Sequence, residues 1–163
     1  MGVTVRISGP GLLTRVWDRA SSLQLGAALV AKITRRAFDQ GLSTADQPHA
    51  PYSTRYLAKR VASGRSGRVD LTWTGAMRRS LRLKRPTATG FLIGLTGDPA
   101  TYGSFVDDLR PWLGLSPADA AYAQTVVARI LTALVAKGAG AKSTSTTAGR
   151  QRDSRGRFVK VAK

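Results

Sequence analysis

The stretch "TWTGAMRRSLRLKRPTATGFLIGL" (residues 72–95) decides the fold. In its middle Leu81 and Leu83 alternate with Arg82 and Lys84, the period of two that marks a strand with one buried face and a basic outer one. "PTATG" (86–90) supplies turn residues, and "FLIGL" (91–95) is an apolar run of strand length. The two runs fold back on each other as a β-hairpin. Just ahead of them Thr74 stands where it can cap a turn of helix.

Working outward, "VTVRI" (3–7) alternates Val3, Val5 and Ile7 with polar residues and suits a third short strand. From Leu12 to Gln40, Leu13, Val16, Ala20, Leu23, Ala27, Val30 and Ala37 recur at helical spacing, which predicts one long amphipathic helix stopped by Gly41. "STRYLAKRVASG" (53–64) reads as a short basic helix with Ser53 as cap. "GRSGRVD" (64–70) sets two glycines among arginines and is expected to be mobile or solvent-facing, and "GDPATYGSFVDDL" (97–109) suits a short helix holding Tyr102 and Phe105. Ser116, Pro117 and Asp119 start a final helix with a cap, a first-turn proline and an acid near the positive end. It presents Val126 or Val127, Ile130, Leu131, Leu134 and Val135, and Gly138 is expected to end it. The fold class is therefore α+β: a long N-terminal and a C-terminal helix on a small antiparallel sheet. The domain spans 1–138, and 139–163 form an extended basic arm.

A chain of 163 residues can bury a core without staples. There is no cysteine, which excludes disulfides, zinc–thiolate sites and thiol catalysis and fits a reducing compartment. Lys and Arg number 26 against 9 acids, all of them Asp, for a formal charge of +17. Such a balance favours phosphate backbones, acidic protein surfaces or anionic membranes as partners. The uncharged stretches 20–31 and 86–97 fall short of the roughly 18–20 residues that span a bilayer. No basic segment followed by an apolar run opens the chain, so a soluble intracellular product, or part of an assembly built inside a cell, is expected, without membrane contact.

Chemistry-bearing constellations are sparse. His49, the single histidine, sits in a Pro-flanked loop and is expected to be exposed, with no second ligand to share a metal. Asp107 and Asp108 are adjacent and, if extended, point apart. Ser66, Ser80 and Ser104 lack a histidine base, and Gly94 and Gly97 match no phosphate loop. No catalytic residue, metal, cofactor or small-molecule substrate is expected, and the chain reads as a non-enzyme. Tyr52, Tyr56, Trp73, Trp112 and Phe158 stand beside basic residues as base-stacking aromatics would. Trp73 in its alternation with Val69 and Leu71, and Trp112 in "PWLGL", read better as core or subunit-contact residues. Arg78, Arg79, Arg82, Lys84 and Arg85 form a candidate basic face.

The order of pieces, with "WTGAMRRSLRL" before the hairpin and "RPWLGLSPAD" before the last helix, resembles the tailed-phage neck and tail-completion proteins, the head–tail joining or virion morphogenesis family. The matching positions are Thr74, Gly75, Ala76, Arg78, Ser80 and Leu81, then Arg110, Pro111, Trp112, Leu113, Gly114, Leu115 and Ser116, within residues 10–137. The chain departs from that pattern at Trp73, where the family often has Asp, and at "FVDDL", where it often has His-Gln-x-x-Gly. The resemblance implies a structural protein of the virion, assembled in the host cytoplasm. It would form a hexameric or dodecameric ring at the head–tail junction, next to the head-connector and tail proteins, with DNA passing through its channel. It marks Thr74, Gly75, Arg110, Pro111, Trp112 and Gly114 as structural or interface residues, and Trp73 joins them on its alternation with Val69 and Leu71.

The alternative is a small basic nucleic-acid-binding protein, favoured by the charge and opposed by the lack of a helix-turn-helix, zinc finger or RNP-like motif. The stretch "RDSRGRFVK" (152–160) belongs to the basic arm. Residues 138–152 are mostly small and polar, too poor in apolar surface to offset their ordering entropy. The arm is expected to reach onto a neighbour, with Phe158 and Val159 or Val161 filling an apolar groove there. Arg150, Arg152, Arg155, Arg157 and Lys160 would meet carboxylates or channel DNA.

Overall fold

The computed structural model describes residues 2–6, 17–72, 74–141, 151–152 and 158–159. They fall into two units, 1–131 and 132–163. The hairpin forms as its alternation requires. Strand β2 (Leu81–Thr87) pairs antiparallel with β3 (Gly90–Leu95), Leu81 opposite Leu95 and Leu83 opposite Ile93. Strand β1 (Gly2–Arg6) takes the other side of β3, with Val3 opposite Ile93 and Val5 opposite Phe91. The sheet order is β1-β3-β2, so the most apolar strand is central. The ladder slips between Lys84 and Thr87. Pro86 has no N–H to give there, which is the position a bulge tolerates on an edge strand. The chain is thus α+β around a three-stranded antiparallel sheet.

Helix α1 (Arg19–Thr34) begins later than its periodicity predicts. Asp18 is extended, with φ −124° and ψ −179°, and its Oδ1 accepts from the amide of Ser21 at 2.7 Å, a side-chain cap that fixes the start. Leu13 and Val16 lie outside the described residues. The buried face also differs from the expected one. Ser22, Leu25, Gly26, Leu29 and Ile33 turn inward, whereas Ala20, Leu23 and Ala27 are exposed. "LQLGAALVA" (23–31) is apolar around most of the cylinder, so periodicity leaves the choice open and close approach makes it. A Cβ on Gly26 would stand 2.4 Å from Leu83 Cδ1, so the helix lies on β2 through its smallest residue.

Past Thr34 the helix widens into a π-helical segment, Arg35–Gln40, closed by Gly41 at φ +69°. Helix α2 (Thr54–Ala62) follows, and α3 (Ala76–Ser80) is entered through Gly75 at φ +75°. The expected short helix at 97–109 is α4 (Pro99–Leu109), which lies against β3 and α3, with Gly103 pressed onto Leu95. Helix α5 (Pro117–Ala141) runs through Gly138 rather than stopping there. A helix-interior glycine costs only about 1 kcal/mol, too little to stop the helix here. Val126 and Ile130 are buried, but Val135 is 66% exposed and not part of the packed face. In the second unit β4 (Gln151–Arg152) pairs antiparallel with β5 (Phe158–Val159).

The two left-handed glycines at 41 and 64 separate strain from crowding. Gly64, at φ +68°, has nothing within 4 Å of a built Cβ, while at Gly41 that Cβ would lie 2.3 Å from the carbonyl oxygen of Val69. Gly64→Ala should cost about 1–2 kcal/mol, the left-handed penalty alone. Gly41→Ala should cost clearly more in urea unfolding, and equal losses would show that the 36–70 region yields freely.

Candidate functional site

The motif "RPWLGLS" is built around one buried cation. The π-helical segment aims Arg36, 2% exposed, at the loop that precedes α5. Its Nε donates to Asp119 Oδ2 at 2.8 Å, its Nη2 to the carbonyls of Trp112 at 2.9 Å and Gly114 at 2.7 Å, and its Nη1 to that of Leu42 at 3.3 Å. Asp119 is itself fully buried. Its amide donates to Ser116 Oγ and its Oδ2 accepts from the amide of Ser116, a reciprocal capping box that starts α5. Trp112 is fully buried and meets Phe38 edge-to-face at 5.1 Å between ring centres. Asp107 turns the corner from α4, its Oδ1 accepting from the amides of Trp112 and Leu113 at 2.8 Å each. Asp107 thus stands in the last turn of α4 and holds the amides of the following loop, rather than belonging to an extended, diverging carboxylate pair.

Beside this corner lies a groove of about 580 Å³. Tyr52 and Tyr56 form one wall, an edge-to-face pair at 4.9 Å. Met77 and Leu71 line it from the segment around α3, and Tyr102, Phe105 and Leu109 from α4. The last three recur at i, i+3 and i+7, one face of a helix. That face is left to water: Phe105 is 66% exposed and Leu109 61%. Two guanidiniums stand over the Tyr52 ring, Arg60 at 4.9 Å and Arg110 at 5.2 Å from its centre. Arg60, 1% exposed, pairs with Asp70 at 2.9 Å and donates to the carbonyls of Ser66 and Thr72. It ties down a loop expected to be mobile or solvent-facing: Val69 is buried, although Ser66, Gly67 and Arg68 stay exposed.

The sequence-derived site residues divide accordingly. Thr74 and Gly75 line the groove, and Thr74 Oγ1 accepts from the amide of Ala76 at 3.3 Å. Arg110 also lines it, its Nη2 donating to the carbonyls of Ala50 and Pro51. Pro111 is exposed, and its carbonyl accepts from Thr44. Gly114 packs close to Thr44. The residues of the candidate basic face differ in their partners. Arg78 pairs with Asp39 at 2.6 Å, Lys84 donates to the Leu95 carbonyl, and Arg85 sits at the bulge with φ +47°. Arg79 and Arg82 are exposed. Trp73, Arg150, Arg155, Arg157 and Lys160 lie outside the described residues. Arg152, Phe158 and Val159 belong to the β4–β5 pair. Among the described residues no cluster of three or more His, Cys, Asp or Glu could hold a metal.

His49 is buried, contrary to the expectation of an exposed loop residue. Its amide donates to the Gly41 carbonyl, and Leu42 bridges to Pro48, so the loop folds its histidine inward. Burial, then the charges of Arg110 and Arg36, hold its pKa below the ordinary value. The unfolded chain therefore binds this proton at higher pH than the folded one. Stability is full above about 6.5 and declines as pH falls below it. His49→Gln should flatten that part of the pH–stability curve. The carboxylates of Asp18 and Asp46, held below 3.8 chiefly by hydrogen bonds from Ser21 and Ser116 respectively, act only at lower pH. An unchanged slope between pH 6.5 and 5 in the variant would place the histidine's proton elsewhere.

The buried pair gives a second test. Asp119→Ala leaves Arg36 unpaired in the interior and should cost about 3–5 kcal/mol. Arg36→Met combined with Asp119→Leu should cost much less than the two single changes added, as a thermal-melt double-mutant cycle would report.

No family model, curated protein or solved structure matches the chain.

Proposed function

We propose that this chain is a structural subunit of a tailed-phage head–tail junction, one that forms a ring and completes the tail or joins it to the head connector. The observation that carries the reading is the exposed row Tyr102, Phe105 and Leu109 on α4. A soluble domain leaves such a row open chiefly where another protein covers it. The resemblance in sequence adds to this. Its second motif, Arg110–Ser116, supplies the carbonyls and the cap that hold Arg36 and Asp119, a structural use of those residues. The described residues of that motif and of the groove engage one another as walls and caps, which suits a subunit of an assembly. The partners of this reading are further copies of the chain in a hexamer or dodecamer, the head-connector and tail proteins, and the DNA of the channel.

A second reading, a basic nucleic-acid binder, draws on Arg79, Arg82 and Arg85, which are exposed and make no ion pair among the described residues. Light scattering after size exclusion, with negative-stain images, separates the two. Rings of six or twelve copies are expected. A monomer whose DNA affinity falls steeply with salt would favour the binder instead.

A further inference from the structure

Helix α4 stands apart in charge. In a chain of formal charge +17 its segment 98–109 carries Asp98, Asp107 and Asp108 and no basic residue. Asp107 is spent on the amides of Trp112 and Leu113. Asp98 and Asp108 are exposed and make no ion pair among the described residues. They sit ten residues apart, about 15 Å along a helix, near the two ends of the row formed by Tyr102, Phe105 and Leu109. The groove therefore asks for a short segment with apolar residues in the middle and cations on either side.

One stretch of this chain has that composition: "RQRDSRGRFVK" (150–160), with Phe158 and Val159 among four arginines and a lysine. Its backbone pairs Gln151 with Val159 and Arg152 with Phe158. Two strands of two residues are too short to be stable alone in water, so this pairing needs a surface to rest on. We infer that the groove between α2 and α4 receives the segment 150–160, which includes the β4–β5 pair, of a neighbouring copy. Phe158 and Val159 cover Phe105 and Leu109, and the flanking arginines meet Asp98 and Asp108. The inference rests on the ring reading above, since a head-to-tail contact of this kind closes when its rotation fits. The apolar contact supplies most of the affinity. The exposed ion pairs set register and are weakened by salt.

The absence of cysteine makes a direct test clean. Full-length chain carrying Phe105→Cys is mixed with differently tagged full-length chain carrying Val159→Cys, and the mixture is oxidised mildly. A mixed-tag disulfide dimer is expected, and the same experiment with Ala88→Cys, at the β2–β3 turn, in place of Phe105→Cys should give far less. A chain carrying both changes should form multimers. Closure into a disulfide-bonded monomer would place the segment in its own groove and overturn the inference. As a second measure, Phe105→Asp changes a side chain 66% exposed, so the chain should fold yet lose its rings in light scattering. Rings that survive this change, together with no mixed-tag dimer, would reject the inference and leave the ring reading standing. An unmodified chain that is monomeric would reject both.

Discussion

The contact between Arg36 and Asp119 is the constraint on which the rest of the first unit depends. Two fully desolvated charges persist only when hydrogen bonds satisfy what their mutual attraction leaves over. Here the guanidinium reaches one carboxylate and three backbone carbonyls, and the carboxylate also anchors the cap of α5. None of those carbonyls lies in a strand of the sheet. The arginine thus does for loops 42 and 112–114 what a sheet does for strands. The π-helical segment is part of this device, because a wider turn re-aims one side chain without moving the helix that precedes it.

Arg60 repeats the arrangement on a smaller scale, joining α2 to the loop of Ser66, Asp70 and Thr72. Together with Arg110 it also stands over Tyr52. One wall of the groove is therefore set by Arg60, which is buried, and Arg110, which is half-buried, and the other, α4, by the packing of Gly103 on Leu95. A groove with fixed walls meets a partner with little reordering, which keeps the entropic cost of association low.

Much of this frame was legible in the sequence. The alternation in 81–84 and the apolar run 91–95 specified the hairpin, Ser53 and Ser116 marked helix starts, and Trp112 read as a core residue. The fold class followed from these. The inward face of α1 was not legible, because its middle is apolar all round and the deciding term was the close approach at Gly26. Nor were the roles of Arg36 and Arg60, since a buried arginine looks in sequence like any exposed one. The Ser-x-x-Asp spacing at 116–119 hinted at the capping box but not at the cation beneath it. His49 misled for a related reason: two prolines suggest a loop at the surface, yet the loop folds back on Gly41. The groove itself was hidden until α4 took shape, when the run "TYGSFVDDL" aligned Tyr102, Phe105 and Leu109.

The separation of Arg36 from Asp119, 83 residues along the chain, also orders events in folding. The β2–β3 hairpin closes a short loop and can form within microseconds. The arginine's closure spans most of the domain, and the entropy of so long a loop adds roughly 2 kcal/mol over a ten-residue one. Until residues 112–119 arrive, the cation on the π-helical segment has neither its carboxylate nor the carbonyls of Trp112 and Gly114. A nascent chain shorter than about 119 residues thus holds its helices and hairpin without the lock between them. The corner at Trp112, and with it the start of α5, is therefore fixed only once nearly the whole first unit has been synthesised.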